Sequence, residues 1–286
     1  MTVIAYVNGK FTPAGEAGVS IFDRGFLFGD GVYEVAAVLD GKLVDNDAHM
    51  ARLGGSLREI MLASPEPLDR IRAIQAELIA RNDLQEGLVY LQITRGAAPT
   101  RDFGFPPDTI PTLVMFTQAK NIINSPTVVA GIAVKTLPDI RWARRDIKST
   151  SLLAQVLAKQ AALAEGCQEA WMIDSDGAVT EGASSTAFII TKQATIVTRP
   201  NSTSVLPGCT GKAVVALAER RSLRIERRAF SVAEALDAAE AFLTSATTFV
   251  LPVVAIDGSP VGQGVPGEMT RLLRQLYIEA ARATAT

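Results

Sequence analysis

Two stretches, RWARRDIKSTSLL at residues 141–153 and AVTEGASSTAF at residues 178–188, decide how this chain is read. The first places one lysine, Lys148, at the end of a basic segment that looks like a strand. The second places one acid, Glu181, ahead of small and hydroxyl-bearing residues, thirty-three positions later. Either residue alone is ordinarily a solvated surface charge. Together they offer an amine for a carbonyl, an acid for a ring nitrogen and small donors for an anion, the division of labour that an organic cofactor requires.

Working outward, the N-terminal part alternates strands and turns. AYVNGKF (5–11) reads as a hairpin because Asn8-Gly9 supplies the positive φ angles of a type I′ turn, and VYEVAAVLDGKLV (32–44) repeats the pattern around Asp40-Gly41. Helical spacing runs from Asp47 to about Leu62 and again over Pro67–Asn82; GLVYLQITRG and TIPTLVMFTQ are apolar strands. The polar stretch before Ser125-Pro126 marks a linker, which divides the chain into residues 1–119, a linker 120–127 and residues 128–286. In the second half GIAVKTL and RWARRDIK read as strands, and a helix from Thr150 ends at Gly166. EAWMIDSDGAVTEG turns at Asp176-Gly177, STAFIITKQATIVTRP continues the sheet, and helices open at Gly208, at Val232 and at Gly267. Strands and helices without strict alternation predict an α+β chain of two lobes with a cleft between them.

At 286 residues and 48% hydrophobic content the chain can bury one large core or two smaller ones. A net charge of −2 argues against nucleic acid, and no apolar run is long enough to span a membrane. The start, MTVIAYVNGKF, lacks a basic segment followed by an apolar one, so no signal peptide is expected. The two cysteines, Cys167 and Cys209, lie far apart without metal-ligand spacing, which predicts a reducing, cytoplasmic setting. His49 is the one histidine, so multi-histidine metal sites are excluded and Ser-His-Asp hydrolysis would have to use it.

FDRGFLFGDGVYEV (22–35), HMARL (49–53), RRDIKSTSLLAQVLAKQ (144–160), VTEGASSTAF (179–188), LPGCTGK (206–212) and FLTSATTFVLPV (242–253) follow one another in an order that covers nearly the whole chain. In that order they resemble the fold-type IV pyridoxal-phosphate enzymes, the class IV aminotransferases, and most closely those acting on D-amino acids. The resemblance implies an α+β, two-domain fold with pyridoxal 5′-phosphate in the inter-domain cleft, and a homodimer. It implies Lys148 as the Schiff-base lysine and proton shuttle of a ping-pong transamination between an amino donor and a 2-oxo acid (2-oxoglutarate or pyruvate). Arg144 and Arg145 would favour its neutral amine. Glu181 is implied at the pyridine nitrogen, where a carboxylate keeps the ring able to accept electrons. A phosphate cup is implied from Arg52, Ser184, Ser185, Cys209 and Thr210 at a helix start, and Ser245, Ala246 and Thr247. Tyr33 is implied beside the lysine in the substrate pocket, with Glu34 pointing the other way along the strand. His49, three residues before Arg52, reads as a structural residue near a helix start.

Three positions depart from the family pattern. Ala183 and Ala246 stand where the family often has hydroxyl residues, so each leaves only its backbone. TRGAAPTRDFGFP (94–106) retains Arg101 but lacks the histidine that usually completes the trap for the substrate carboxylate, and Arg24 becomes a candidate second partner. The missing histidine leaves three enzyme alternatives beside D-amino-acid transamination: an (R)-selective amine transaminase, a branched-chain aminotransferase and a 4-amino-4-deoxychorismate lyase. A pyridoxal-phosphate-binding homologue without turnover, or a plain α+β ligand-binding protein, is the non-enzyme alternative.

Overall fold

Two Asx-Gly pairs show local sequence setting the first elements. Asn8 and Gly9 take φ of 45° and 91° and close β1 (Ile4–Val7) onto β2 (Lys10–Pro13). Asp40 and Gly41, at 51° and 74°, do the same between β3 (Gly31–Leu39) and β4 (Lys42–Leu43). The computed structural model describes residues 2–286 and divides into two compact units.

The first unit holds the chain up to Asn121 together with Ile147–Ser151 and Thr284–Thr286. Its helices are α1 (Arg24–Phe28), α2 (Asn46–Glu59) and α3 (Leu68–Arg81), and its remaining strands are β5 (Glu86–Thr94) and β6 (Thr112–Ala119). The six strands form an antiparallel sheet in the order β2-β1-β6-β5-β3-β4. One face packs on α2 and α3: Met50, Leu53, Ile71, Ile74 and Leu78 from the helices meet Leu91, Ile93 and Met115 from the sheet. Each such buried side chain contributes about 2 kcal/mol of apolar transfer. The opposite face carries Tyr33, Tyr90 and Phe116 in a row across three strands.

The second unit holds Ile122–Asp146 and Leu152–Ala283. Its helices are α4 (Pro126–Ala130), α5 (Leu153–Ala164), α6 (Cys209–Arg220), α7 (Val232–Asp237) and α8 (Glu268–Thr284). Its strands are β7 (Ile132–Pro138), β8 (Glu169–Ile173), β9 (Val179–Gly182), β10 (Thr186–Ile190), β11 (Ile196–Thr198), β12 (Ile225–Arg227), β13 (Glu240–Ser245), β14 (Phe249–Ile256) and β15 (Ser259–Pro260). They form a nine-stranded mixed sheet, β12-β11-β10-β13-β14-β7-β8-β9, with β15 on β14. Trp171, Val197, Leu243, Val253 and Ile256 lie in the core on it, and Phe188 stacks on Phe242 at 4.7 Å.

Two expectations change. RWARRDIK forms no strand; residues 139–152 run irregularly, and the isolated bridge of Ser149 with Val32 is the ladder contact they make among the described residues. Lys148, expected within residues 128–286 as part of the C-terminal domain, packs with the first unit instead. Ile147 is buried in that unit's core, Tyr33 N donates to Lys148 O at 3.0 Å, and Thr150 N donates to Gly31 O at 3.0 Å. Burying one isoleucine and pairing two backbone groups outweighs sequence adjacency.

Candidate active site

In the first unit, the edge of β3 positions the lysine. Lys148 N donates to Ser56 Oγ at 3.2 Å, and its Nζ stands 4.2 Å from the centroid of the Tyr33 ring. Among the described residues Nζ meets no carboxylate, so this half-buried lysine is held by an aromatic face rather than by a counter-ion. Tyr33 stacks on Tyr90 at 5.7 Å, and Tyr90 on Phe116 at 4.8 Å. Burial, with Tyr33 alongside, pushes the Tyr90 phenol up to about 12, and its hydroxyl donates to Gln92 Oε1 at 2.8 Å.

Glu34 points to the opposite face of β3, as strand alternation requires. Its two carboxylate oxygens accept Arg52 Nε and Nη2, each at 2.8 Å, and His49 Nδ1 lies 2.8 Å from Oε2. Burial would raise this carboxyl, but the Arg52 guanidinium and His49 hold it down at about 2. The sequence assigns the bidentate face of Arg52 to a phosphate; in the structure its Nε–Nη2 edge belongs to Glu34, which fixes the guanidinium on α2. His49, near the start of α2, pairs with Glu34.

Arg24 is the clearest correction in this unit. It is 4% exposed and fully engaged. Its Nε donates to Asp30 Oδ2 at 2.8 Å, Nη1 to the carbonyls of Asp102 (2.6 Å) and Gly104 (3.2 Å), and Nη2 to that of Phe103 (3.1 Å). No donor edge is left for a substrate carboxylate. Arg101 is the opposite case: its guanidinium carbon lies 4.8 Å from the Phe28 ring and 5.5 Å from Phe103, and among the described residues it forms no ion pair.

In the second unit, β9 carries Glu181. Leu206 N donates to both of its carboxylate oxygens at 3.1 Å, and Arg141 Nη1 donates to Oε1. Arg141 also forks Asp139, at 2.9 and 2.7 Å, and Asp139 accepts Thr180 Oγ1 at 2.7 Å. Complete burial pushes the Glu181 carboxyl up, against the pull of Arg141 and of the Leu206 amide. Arg141 and Asp139 do not stand out in the sequence; the signal available is three arginines and two aspartates packed into DIRWARRD (139–146). Arg144 forks Asp146 at 3.0 and 2.9 Å, and Arg145 lies 3.4 Å from Asp139, so neither is the bare cation expected to act on Lys148.

Three residues beyond Leu206, α6 begins. Its N-cap, Gly208, offers no side chain, so the first-turn amides at Cys209, Thr210 and Gly211 face outward without a side-chain cap. The Thr244 hydroxyl is buried beside them and lacks a partner; a Cβ on Gly211 would sit 3.1 Å from it, and one on Gly208 would sit 2.6 Å from Thr186 Oγ1. Orphaned donors around a side-chain-free helix start fit a phosphate group. The turn Ala246–Thr247 follows β13, with Ser245 Oγ 2.8 Å from Thr248 Oγ1. The serines depart from expectation. Ser184 and Ser185 hydroxyls reach Glu169 Oε2 at 2.8 and 3.4 Å, a buried acid that the sequence did not expose and that an anion would not share.

Residues 31–256 match the family model of class IV aminotransferases, and the chain belongs to that family, whose cofactor is pyridoxal 5′-phosphate. It is 39% identical over 266 residues to a D-alanine aminotransferase of Bacillus licheniformis, covering 92% of each chain. It is 37% identical over 279 residues to a D-alanine aminotransferase of Staphylococcus haemolyticus, covering 96% of this chain and 98% of the relative. Among solved structures, the branched-chain amino acid aminotransferase of Escherichia coli superposes with a TM-score of 0.90 at 20% identity, covering 98% of this chain and 95% of the other. A hypothetical aminotransferase from Mycobacterium tuberculosis, in its PLP-bound form, gives 0.84 at 23% identity, covering 98% and 99%. The protein is thus an aminotransferase with the α+β fold of type IV.

Proposed function

We propose that this aminotransferase moves amino groups from D-amino acids to a 2-oxo acid, 2-oxoglutarate or pyruvate, in a ping-pong cycle. The observation that carries this is Lys148 Nζ poised over Tyr33 without a counter-ion, in a chain whose full-length relatives are D-alanine aminotransferases. When bound, pyridoxal phosphate supplies an electron sink for the pair released as the substrate Cα–H bond breaks. Lys148 would hold the cofactor through its amine and is the base that would take the proton from the substrate Cα. Glu181, oriented by Leu206 N and Arg141, would hold a proton at the ring nitrogen. The amides of Cys209 and Thr210, with those of Ala246 and Thr247 and the guanidinium of Arg52, receive the phosphate. Tyr33 lines the substrate side, and Arg101 takes the α-carboxylate.

A second reading, an (R)-selective amine transaminase, is favoured by one observation: Phe103 stands two residues after Arg101, where a histidine would complete the carboxylate trap. Half-reactions separate the two. D-alanine should convert the cofactor to its amine form, whereas L-valine and (R)-1-phenylethylamine should not; faster conversion by the carboxylate-free amine overturns the D-amino-acid assignment. Lys148→Ala should abolish turnover, and after borohydride treatment mass spectrometry should find no cofactor on the chain. Homodimerisation and a cytoplasmic setting belong to the same proposal. They are supported by Leu153, Val156 and Leu157, exposed at helical spacing on α5, and by two unpaired cysteines. A monomer in sedimentation equilibrium would refute the dimer.

A further inference from the structure

The loop that bears Arg101 is anchored at three levels, each within the first unit. At its neck Gly96 has φ of 86°, and a Cβ there would lie 1.9 Å from Ile110 O, so the two ends of the loop meet as only glycine permits. In its middle, the buried Arg24 guanidinium holds three successive carbonyls, those of Asp102, Phe103 and Gly104. Beyond, the Arg95 guanidinium lies 3.6 Å from the Phe105 ring. Both arginines are tied to one acid: Asp30 Oδ2 accepts Arg24 Nε and Arg95 Nε, each at 2.8 Å, and Oδ1 accepts Arg95 Nη2 at 3.0 Å. Arg95 is in turn bonded to the carbonyls of Ile60 and Met61, at the end of α2.

Among the described residues Arg101, unlike both neighbours, has no anion. Phe28 and Phe103, with ring centroids 5.3 Å apart, flank its guanidinium. Aromatic faces attract a cation without satisfying its hydrogen bonds, so the N–H groups are held out for a planar acceptor. Phe28 ends α1, and Arg24 begins it and also stacks on Phe28 at 4.8 Å. One short helix therefore supplies both the clamp on the loop backbone and one wall of the Arg101 slot.

We propose that Arg24 is a positioning residue for substrate specificity: by clamping the carbonyls of residues 102–104 it holds Arg101 in the orientation that receives the α-carboxylate. This rests on Arg101 being the carboxylate anchor, as proposed above. An ammonium cannot span three carbonyls and Asp30 together, so Arg24→Lys keeps the charge and loses the clamp. Arg24→Lys is expected to raise KM for D-alanine about tenfold, the order for one or two lost charge-assisted hydrogen bonds. Its kcat, and its KM for a carboxylate-free amine, should stay within about twofold. Amides of residues 101–105 should exchange hydrogen faster. In an Arg101→Ala background the same substitution should add nothing further to KM, because the group it positions is gone.

Additive effects in that cycle, or equal KM increases for amino acids and amines, would overturn the proposal. If Arg101→Ala alone affects both substrate types equally, the anchor assignment fails instead, and unchanged loop exchange in Arg24→Lys would then show that the clamp fails too. Should Arg24→Lys not fold, Arg24→Met serves, since Asp30 keeps its fork to Arg95.

Discussion

At the scale of single residues, two buried acids do opposite work. Glu181 is pushed up by burial and steadied by one arginine and one amide. Glu181→Gln should retain the cofactor by its phosphate contacts while slowing proton abstraction by about one hundredfold or more, read as loss of kcat with KM for the donor little changed. Glu34 is held down at about 2 against the usual 4.5, and it is the folded state that depresses it. Its contribution is therefore complete above about pH 4.5 and is lost as pH falls toward 2; that interval corresponds to about 3 kcal/mol. Glu34→Gln should lower the unfolding midpoint at pH 7, and its gap from the parent protein should close as acid titration proceeds through that window. A gap independent of pH would mean that the carboxylate is not what Arg52 and His49 stabilise. As candidates, Lys148 and Glu181 were legible in the sequence because each stands out chemically in a stretch of small residues. Glu169 was not, since a single acid in EAWMI gives no sign that two distant serines will turn to it.

At the scale of elements, helix starts and hairpin corners carry the candidate binding groups. Hairpins and long helices follow the sequence because their signals are local: Asn8-Gly9, Asp40-Gly41 and the apolar spacing of α2 and α3. RWARRDIK misleads for the same reason. Its alternation suits a strand, but the bonding partners that would complete a ladder are not brought beside it. Phe249 shows tertiary context winning outright. It takes φ of 59° while fully buried, strain of about 1–3 kcal/mol that its packing on Tyr277 at 4.9 Å supports, directly after the Ala246–Thr247 turn. Gly96→Ala tests the neck of the loop that bears Arg101. Its φ and the contact with Ile110 O oppose any side chain, so the variant should lose stability by about 1–3 kcal/mol and bind D-amino acids less well. Thermal unfolding and KM for D-alanine measure both effects.

At the scale of the molecule, each unit is stabilised by its own core and carries its own share of the candidate site residues. Orphaned donors at the start of α6 leave the second unit with unsatisfied polar groups that a bound anion would pair. Removing pyridoxal phosphate should therefore lower Tm, and restoring it at about one hundred times its Kd should return about 2.7 kcal/mol. Inorganic phosphate should recover part of that shift, and no response to either ligand would count against the cradle at Gly208–Gly211.

The sequence by itself determined the hairpins, the long helices and the cofactor class, and it singled out Lys148, Glu181 and Tyr33 as candidates, because those signals are carried by neighbouring residues or by chemistry that few side chains possess. Tertiary structure decided which polar groups are committed and which are available. It turned Arg24 to the loop carbonyls, the Nε–Nη2 edge of Arg52 to Glu34, and Ser184 and Ser185 to Glu169, while leaving Arg101 between two rings. The reason is physical: a buried donor must find an acceptor, and in each of these cases the acceptor lies at least fifteen residues away along the chain.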